Sequence, residues 1–295
     1  MYEKQMESEV ALGFIREIRL LDPGMGGRKI WEMYRRQFVT AHLGRDVFEA
    51  LIDRNGLKLR NKLRKPRTTD SSHGLRTYPN LIKDRIPTHP NEIWVSDITY
   101  IMMVGGGSTY RFCYLSLILD SYTEEIVGWD ISESLEKRSA LRALKMALDS
   151  PGDKTGLIHH SDRGCQYASN EYTRILISEG IQISMTESGN PKDNPQAERI
   201  NNTMKNELLY GKVFHSAEQV RQAVSVAVQF YNTRRPHMSL DMRTPCEMLN
   251  REGERNMKWT SRRETAIRNK TCVIPEKGLP LPGKEITAVE NRPRF

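Results

Sequence analysis

Asp97, Asp162 and Glu198 stand where a carboxylate needs a reason. Asp97 lies inside "WVSDITYI", a β-branched and aromatic run that reads as a strand. Central strand positions seldom hold an unpaired carboxylate, because its charge is costly to take out of water. Asp162 follows the short strand in "GLIHHSD", and the carboxyl ends of parallel strands are where α/β sheets build sites. Glu198 sits in the first turn of a helix that follows the turn "GNPKDNP". The helix dipole alone favours an acid there. Each residue taken singly has a structural explanation. Taken together, three converging carboxylates would repel one another unless cations neutralised them. Their hard oxygens suit Mg²⁺ or Mn²⁺.

These residues must be delivered by secondary structure. After Pro87 the pattern predicts three strands, at "IWVSDITYIMM", "YRFCYLSLILD" and "EEIVGWDIS", joined by short connections as an antiparallel meander. An amphipathic helix at "KRSALRALKMALDS", a strand at "GLIHHSD", a helix at "SNEYTRILISEGI" and a strand at "QISMT" follow. The helix of Glu198 and the long "SAEQVRQAVSVAVQFYNTRR" come next. The order β-β-β-α-β-α-β-α-α makes a mixed sheet with helices on its faces. On the Glu198 helix, positions i, i+4 and i+7 share a side, so Glu198, Asn202 and Lys205 point the same way. A lysine there can pair with Glu198 or a nearby acid, or grip a phosphate.

The N-terminal part has a different character. Helices are predicted at "SEVALGFIREIRLLD", "RKIWEMYRRQFVTAH" and "RDVFEALIDRNG". The last two, joined by a turn and with Arg45 opening the third, fit a helix-turn-helix. Residues 58–67, "KLRNKLRKPR", carry Lys58, Arg60, Lys62, Arg64, Lys65 and Arg67 and no acid. The chain's net charge is +8, and residues 1–85 hold 18 Lys/Arg against 11 Asp/Glu, whereas the remainder is nearly balanced at 27 against 26. A positive surplus concentrated at one end points to an acidic polymer as partner, most simply nucleic acid. The basic run then reads as a strip that tracks phosphates.

No apolar run approaches the ~20 residues of a membrane span, and "MYEKQMESEV" lacks the apolar core of a secretory signal. The expected location is cytoplasmic. Cys113, Cys165, Cys246 and Cys272 form no C-x-x-C pair, and "HHSDRGC" lacks zinc-site spacing, so they read as reduced structural thiols.

In "WVSDITYI", "HHSDRGCQY" and "NPQAERINNTMKNE" the chain resembles the transposases of bacterial insertion sequences, of the integrase-core (DDE) type. The resemblance is specific to the second-reading-frame protein of insertion-sequence family three. The 35 residues between Asp162 and Glu198, and a basic residue seven positions after the glutamate, here Lys205, are marks of that group. "YNTRRPHMSLDMRTPCEML" resembles the segment that follows the family's core. "PGMGGRKIWEMY" and "LGRDVFEALIDRNGLKLR" resemble its N-terminal helix-turn-helix. Pro195 stands where the family more often has alanine, at a helix start that tolerates proline.

The resemblance implies an α/β, RNase H-like, five-stranded mixed sheet preceded by a small all-α helix-turn-helix unit. The expected boundaries are 1–57 for that unit, 58–86 for a basic linker, 87–250 for the catalytic core with its following helix, and 251–295 for a C-terminal extension. It implies phosphoryl transfer on DNA, with water and then a DNA 3′-OH as nucleophile. Asp97, Asp162 and Glu198 would hold two Mg²⁺ (or Mn²⁺) ions, Asp97 bridging both. Lys205, Asn202, Arg45 and the basic run would contact DNA. The implied partners are element ends and target DNA, further copies of the chain on DNA, and an upstream-reading-frame protein. An RNase H-like nuclease would share the carboxylates but not need the helix-turn-helix. A non-catalytic repressor derived from a transposase would not need all three carboxylates and Lys205.

Overall fold

A computed structural model describes residues 2–40, 42–59, 74–105, 110–187, 194–255 and 262–271. Helices α1 (Tyr2–Leu21), α2 (Gly27–Gln37) and α3 (Arg45–Arg54) come first. Then follow β1 (Ile93–Val104), β2 (Tyr110–Asp120), β3 (Ile126–Ser132), α4 (Lys137–Leu148), β4 (Ile158–Ser161), α5 (Cys165–Ala168), α6 (Asn170–Ser178) and β5 (Gln182–Met185). Helix α7 (Pro195–Thr203) runs directly into a π-helical turn, Met204–Leu208, and α8 (Ala217–Thr233) follows. Residues up to Thr260 form one compact unit; α9 (Arg262–Thr271) belongs to a second.

The sheet order is β3-β2-β1-β4-β5. β1 pairs antiparallel with β2, and β2 with β3, while β1–β4 and β4–β5 are parallel. This is the RNase H-like arrangement the resemblance implies. Alternation along the strands divides the core in two. Trp94 and Ile118 face α4, α5 and α6. Ile93, Val95, Leu115, Leu117 and Leu119 face the other way, into a core shared with Ile200, Met204, Val220 and Val224. That same core takes in Phe14, Ile15 and Ile18 of α1, Ile30 and Tyr34 of α2, and Phe48 and Ile52 of α3. Gly128 shows how tightly the first face packs, since a Cβ there would lie 2.2 Å from the Ala143 carbonyl of α4.

The elements differ from the sequence expectation mainly at their ends. α1 begins at Tyr2 rather than Ser8. α2 stops at Gln37 rather than His42, just ahead of β-branched Val39 and Thr40. The expected C-terminal extension contains α9, whose Glu264 near the start and Arg268 and Lys270 near the end suit the helix dipole.

Candidate active site

Asp97 and Asp162 meet because of the parallel register. β1 pairs with β4 as far as Val95 opposite His160. Asp97 and Asp162 each lie two residues past that pair, Asp97 inside β1 and Asp162 just after the end of β4, on neighbouring strands whose axes run about 4.8 Å apart. Asp97 shares the parity of Ile93 and Val95, so it faces the α7 side of the sheet. Both aspartates are half-buried. Asp162 is steadied by its own turn, where Gly164 N–H donates to Oδ1 at 2.9 Å. A Cβ on Gly164 would come within 3.0 Å of that oxygen. Beneath the pair, the buried Tyr167 hydroxyl is held well above its ordinary pKa, first by burial, then by Tyr172 and by the charges of Asp97 and Asp162. Both carboxylates thus lie within electrostatic reach of one group.

The helix that carries Glu198 leans on this spot through amide side chains. Asn194 Nδ2 donates to the Ser96 carbonyl at 3.0 Å. Gln196 Nε2 donates to the Ser121 carbonyl at 3.2 Å, and Ser121 Oγ donates back to Gln196 Oε1. Asn201 Nδ2 donates to Asp97 Oδ2 at 2.8 Å. Glu198 is three residues before Asn201, on the same side of α7 and one turn nearer the helix start. Its side chain is exposed. Pro195 occupies the first helical position, where its missing N–H costs nothing.

The donor set is all carboxylate oxygen, the chemistry that suits Mg²⁺ or Mn²⁺ rather than zinc. Among the described residues, no three His, Cys, Asp or Glu side chains are gathered closely enough to hold a metal ion. Glu198 stands on the adjoining helix, beside the two aspartates and not yet among them.

The histidines next to Asp162 serve the core. His159 is fully buried between Ser96 Oγ (3.2 Å) and the Tyr172 hydroxyl (2.9 Å). Burial, with His160 adding to it, pushes its pKa down to about 3, so the ring is neutral. His160 Nδ1 lies 2.8 Å from Ser184 Oγ. Cys165 is exposed at the start of α5.

The expected DNA-contact residues are spread over several places. Lys205 lies in the π turn, with Nζ 3.3 Å from Thr99 Oγ1 and 4.2 Å from the centre of the Tyr100 ring. Asn202 is exposed and accepts from Asn206 Nδ2. Arg45 is paired with Asp46 at 3.1 Å and Lys58 with Asp53 at 3.3 Å, all four side chains exposed. Arg45 also lines a cavity of about 680 Å³ with Arg28, Trp31, Arg35 and Met238, away from the carboxylates. Arg60, Lys62, Arg64, Lys65 and Arg67 lie outside the described residues.

Four residues that matter to the geometry escaped the sequence reading. Asn194, Gln196 and Asn201 were visible only as polar letters in "NPQAERINN", although an amide opposite a strand carboxylate is a natural partner for it. Glu207 was visible only as an acid late in a helix. It is held by Arg235 Nε at 2.8 Å and Nη2 at 2.9 Å.

Two family profiles match the chain, both described as integrase core domain, over residues 87–191 and 179–245. A protein of Shigella sonnei described as the insertion element IS600 uncharacterized 31 kDa protein is 37% identical, over 69% of this chain and 74% of its own length. The putative transposase for insertion sequence element IS986/IS6110 of Mycobacterium tuberculosis is 32% identical, over 71% of this chain and 76% of its own. The transposase for insertion sequence element IS629 of Shigella sonnei is 32% identical, over 75% and 72%. Among solved structures, a simian T-cell lymphotropic virus intasome in complex with PP2A regulatory subunit B56 gamma aligns with a TM-score of 0.48 at 17% identity, over 77% of this chain and 78% of that one. The HTLV-2 integrase catalytic core domain in complex with magnesium aligns with a TM-score of 0.41 at 17% identity, over 55% and 98%.

Proposed function

The chain belongs to the integrase-core transposases of bacterial insertion sequences, DDE enzymes that transfer phosphoryl groups between DNA strands, and we propose that Asp97, Asp162 and Glu198 are the three carboxylates of its catalytic centre. The observation that carries this reading is the placement of Asp97 and Asp162 two residues past the last β1–β4 pair, with α7 bonded to Asp97 one turn beyond Glu198.

The cofactor of this reading is Mg²⁺ or Mn²⁺, two ions in number. Bound there, the ions would polarise the attacking oxygen and stabilise the leaving one. The protein's own residues do the rest. Asp97 and Asp162 supply oxygen ligands from a rigid sheet, the sort of support a metal site needs. Glu198 is brought to them by an adjustment of the first turn of α7, whose polar contacts to the sheet are side-chain amides, while Ala197 and Ile200 stay packed in the core. Asn201 orients the Asp97 carboxylate by holding one of its oxygens. Lys205, at the edge of β1 beyond Thr99, binds a DNA phosphate near the reacting one. Water and then a DNA 3′-OH serve as nucleophiles, so no side chain becomes covalently attached to DNA.

Helices α1–α3 are proposed as the DNA-binding unit, with Arg45, Asn202 and the basic run after Lys58 making further backbone contacts. The working form is a multimer on element-end and target DNA, with an upstream-frame protein as a further partner. The unit boundaries proposed from the sequence, at residues 57, 86 and 250, go with this division of labour.

The test is cleavage and joining of element-end DNA in Mg²⁺. Asp97→Asn and Glu198→Gln should each lose about a thousandfold or more in rate, the several kcal/mol of charge stabilisation that a metal centre supplies. Both should still bind the DNA. Undiminished cleavage by either variant would refute the assignment.

A further inference from the structure

The segment that carries Glu198 ends in a buried cluster of charges, and two of the cluster's attachments come from the N-terminal helices. Glu207, in the π turn, receives both Arg235 bonds and lies 3.4 Å from Lys29 Nζ of α2. Asp22, at the end of α1, is fully buried 3.9 Å from Arg235 Nε. Arg235 Nη1 lies 3.3 Å from the His237 ring, and His237 Nδ1 lies 3.2 Å from Glu124 Oε2 in the β2–β3 turn. Glu124 Oε1 in turn lies 4.0 Å from Nη1 of Arg199, the residue next to Glu198. The cluster therefore touches the Glu198 segment at both ends.

Backbone contacts reinforce it. The π turn lengthens one helical ring, with Leu209 N–H donating to the Met204 carbonyl five residues back, at 2.9 Å. Such turns shift the phase of a helix and are frequent at functional sites. The Glu207 carbonyl accepts from Gly24 N–H at 2.8 Å. A Cβ on Gly24 would lie 2.2 Å from Glu207 Cα, so only glycine lets the α1–α2 turn come this close.

We infer that Lys29 and Gly24 of the N-terminal helices, acting through Glu207 and Arg235, are positioning residues for Glu198. Glu207 is nine residues, about 13 Å of helix, from Glu198. A rigid helix fixed at that end carries any displacement of α1–α2 to the carboxylate. The N-terminal helices thereby set how well the metal centre can close. This inference rests on Glu198 being a metal ligand.

The experiment uses the full-length protein and Mn²⁺ alone as the probe, in two measurements. Calorimetric titration reads Mn²⁺ affinity, and amide hydrogen exchange reads α7 and β1 separately. Lys29→Met should weaken Mn²⁺ binding about tenfold, the usual cost of losing an outer support of a metal ligand. It should also speed exchange in residues 195–203 while leaving residues 93–98 as in wild type. Lys29→Arg should restore both. Wild-type Mn²⁺ affinity and α7 exchange in Lys29→Met would overturn the inference. So would equal acceleration in β1, which marks a merely structural role. If Lys29→Met does not fold, Gly24→Ala is decided by the same two measurements. Glu198→Gln separates the two levels. If it binds Mn²⁺ as wild type does, Glu198 is not a ligand and the inference falls with that reading; if it loses Mn²⁺ while Lys29→Met does not, only the positioning role fails.

Discussion

From Asn194 to Thr203 the helix of Glu198 and its cap bond to β1 and to the turn after β2 through the side-chain amides of Asn194, Gln196 and Asn201, with Ala197 and Ile200 packed below. From Met204 to Leu208 the same segment is fastened by buried charge, Glu207 gripped by Arg235 on two bonds with Lys29 beside it. The two stretches differ in what a small movement would cost. A hydrogen bond that can be traded for one to water is worth about 1 kcal/mol net. Breaking a buried ion pair by removing one partner costs about 3–5 kcal/mol. The helix moves as one body, with polar contacts that are easier to exchange where Glu198 sits than where Glu207 sits. A ligand that must move a short way to its partners belongs at the more adaptable end, with the more firmly held end setting the hinge.

The comparison can be broken at its fixed end first. Arg235→Met should cost about 3–5 kcal/mol in urea unfolding, because Glu207 would be left buried without its main partner. Glu207→Leu combined with Arg235→Met should recover part of that loss, since the double variant no longer leaves Glu207 without Arg235, while Lys29 loses its carboxylate partner. A single-variant cost below about 1 kcal/mol would mean that charge does not fasten this stretch.

At the adaptable end the effect should be smaller. Asn201→Ala removes a hydrogen bond to a carboxylate and should cost about 1.5–3 kcal/mol of stability. If it costs as much as Arg235→Met, the two stretches are equally rigid and the contrast fails. The same variant should raise the Mg²⁺ concentration needed for half-maximal cleavage, because Asp97 would lose the group that orients it.

A third effect is a slope against pH. Burial first, then the neighbouring Glu207, pushes the Asp22 carboxyl from 3.8 up to about 8, against the pull of Arg235 and Lys29. The folded chain therefore holds a proton there that the unfolded chain releases near pH 4. Stability from this group is fully present below about pH 4 and is lost as pH rises toward 8. Asp22→Asn should remove that decline, so the difference between wild type and variant should move in the variant's favour across that window. Glu207 is raised by burial but lowered more by Arg235, to about 2. Its contribution disappears only as pH falls from 4.5 toward 2, outside the Asp22 window. His237, lowered by burial to about 4, titrates within the window in both proteins and cancels in the difference. A parallel pair of curves would show that Asp22 is ionised in the fold.

Much of this molecule is legible in its sequence, for identifiable reasons. β1, β2 and β3 are long runs rich in β-branched and aromatic residues, whereas β4 and β5 have four residues each, and the pairing that sets Asp97 beside Asp162 is the parallel register of β1 with β4. The helix start at Pro195 is written in its turn residues. Position along a regular helix predicts that Glu198, Asn202 and Lys205 share a side, but the amide that reaches Asp97 is Asn201, and Asn202 turns to Asn206 instead. The π turn is invisible to a count of 3.6 residues per turn, and it resets the phase from Met204 on. Glu207 and Arg235 were illegible for another reason. They are 28 residues apart, and Lys29 is 178 residues from Glu207, so only the folded chain reveals the cluster. Asp120, the last residue of β2, joins near and distant partners. It is buried to accept from the Asn91, Tyr122 and Thr123 backbone N–H groups and so organises the β2–β3 turn.

The most direct measurement is anomalous diffraction from crystals of the full-length protein with element-end DNA and Mn²⁺. The account predicts manganese peaks within about 2.1 Å of oxygens of Asp97 and Asp162, with Glu198 drawn in as a ligand and α7 shifted while Glu207 and Arg235 stay in place. Peaks away from the two aspartates, or a filled centre with Glu198 still turned to solvent, would contradict it.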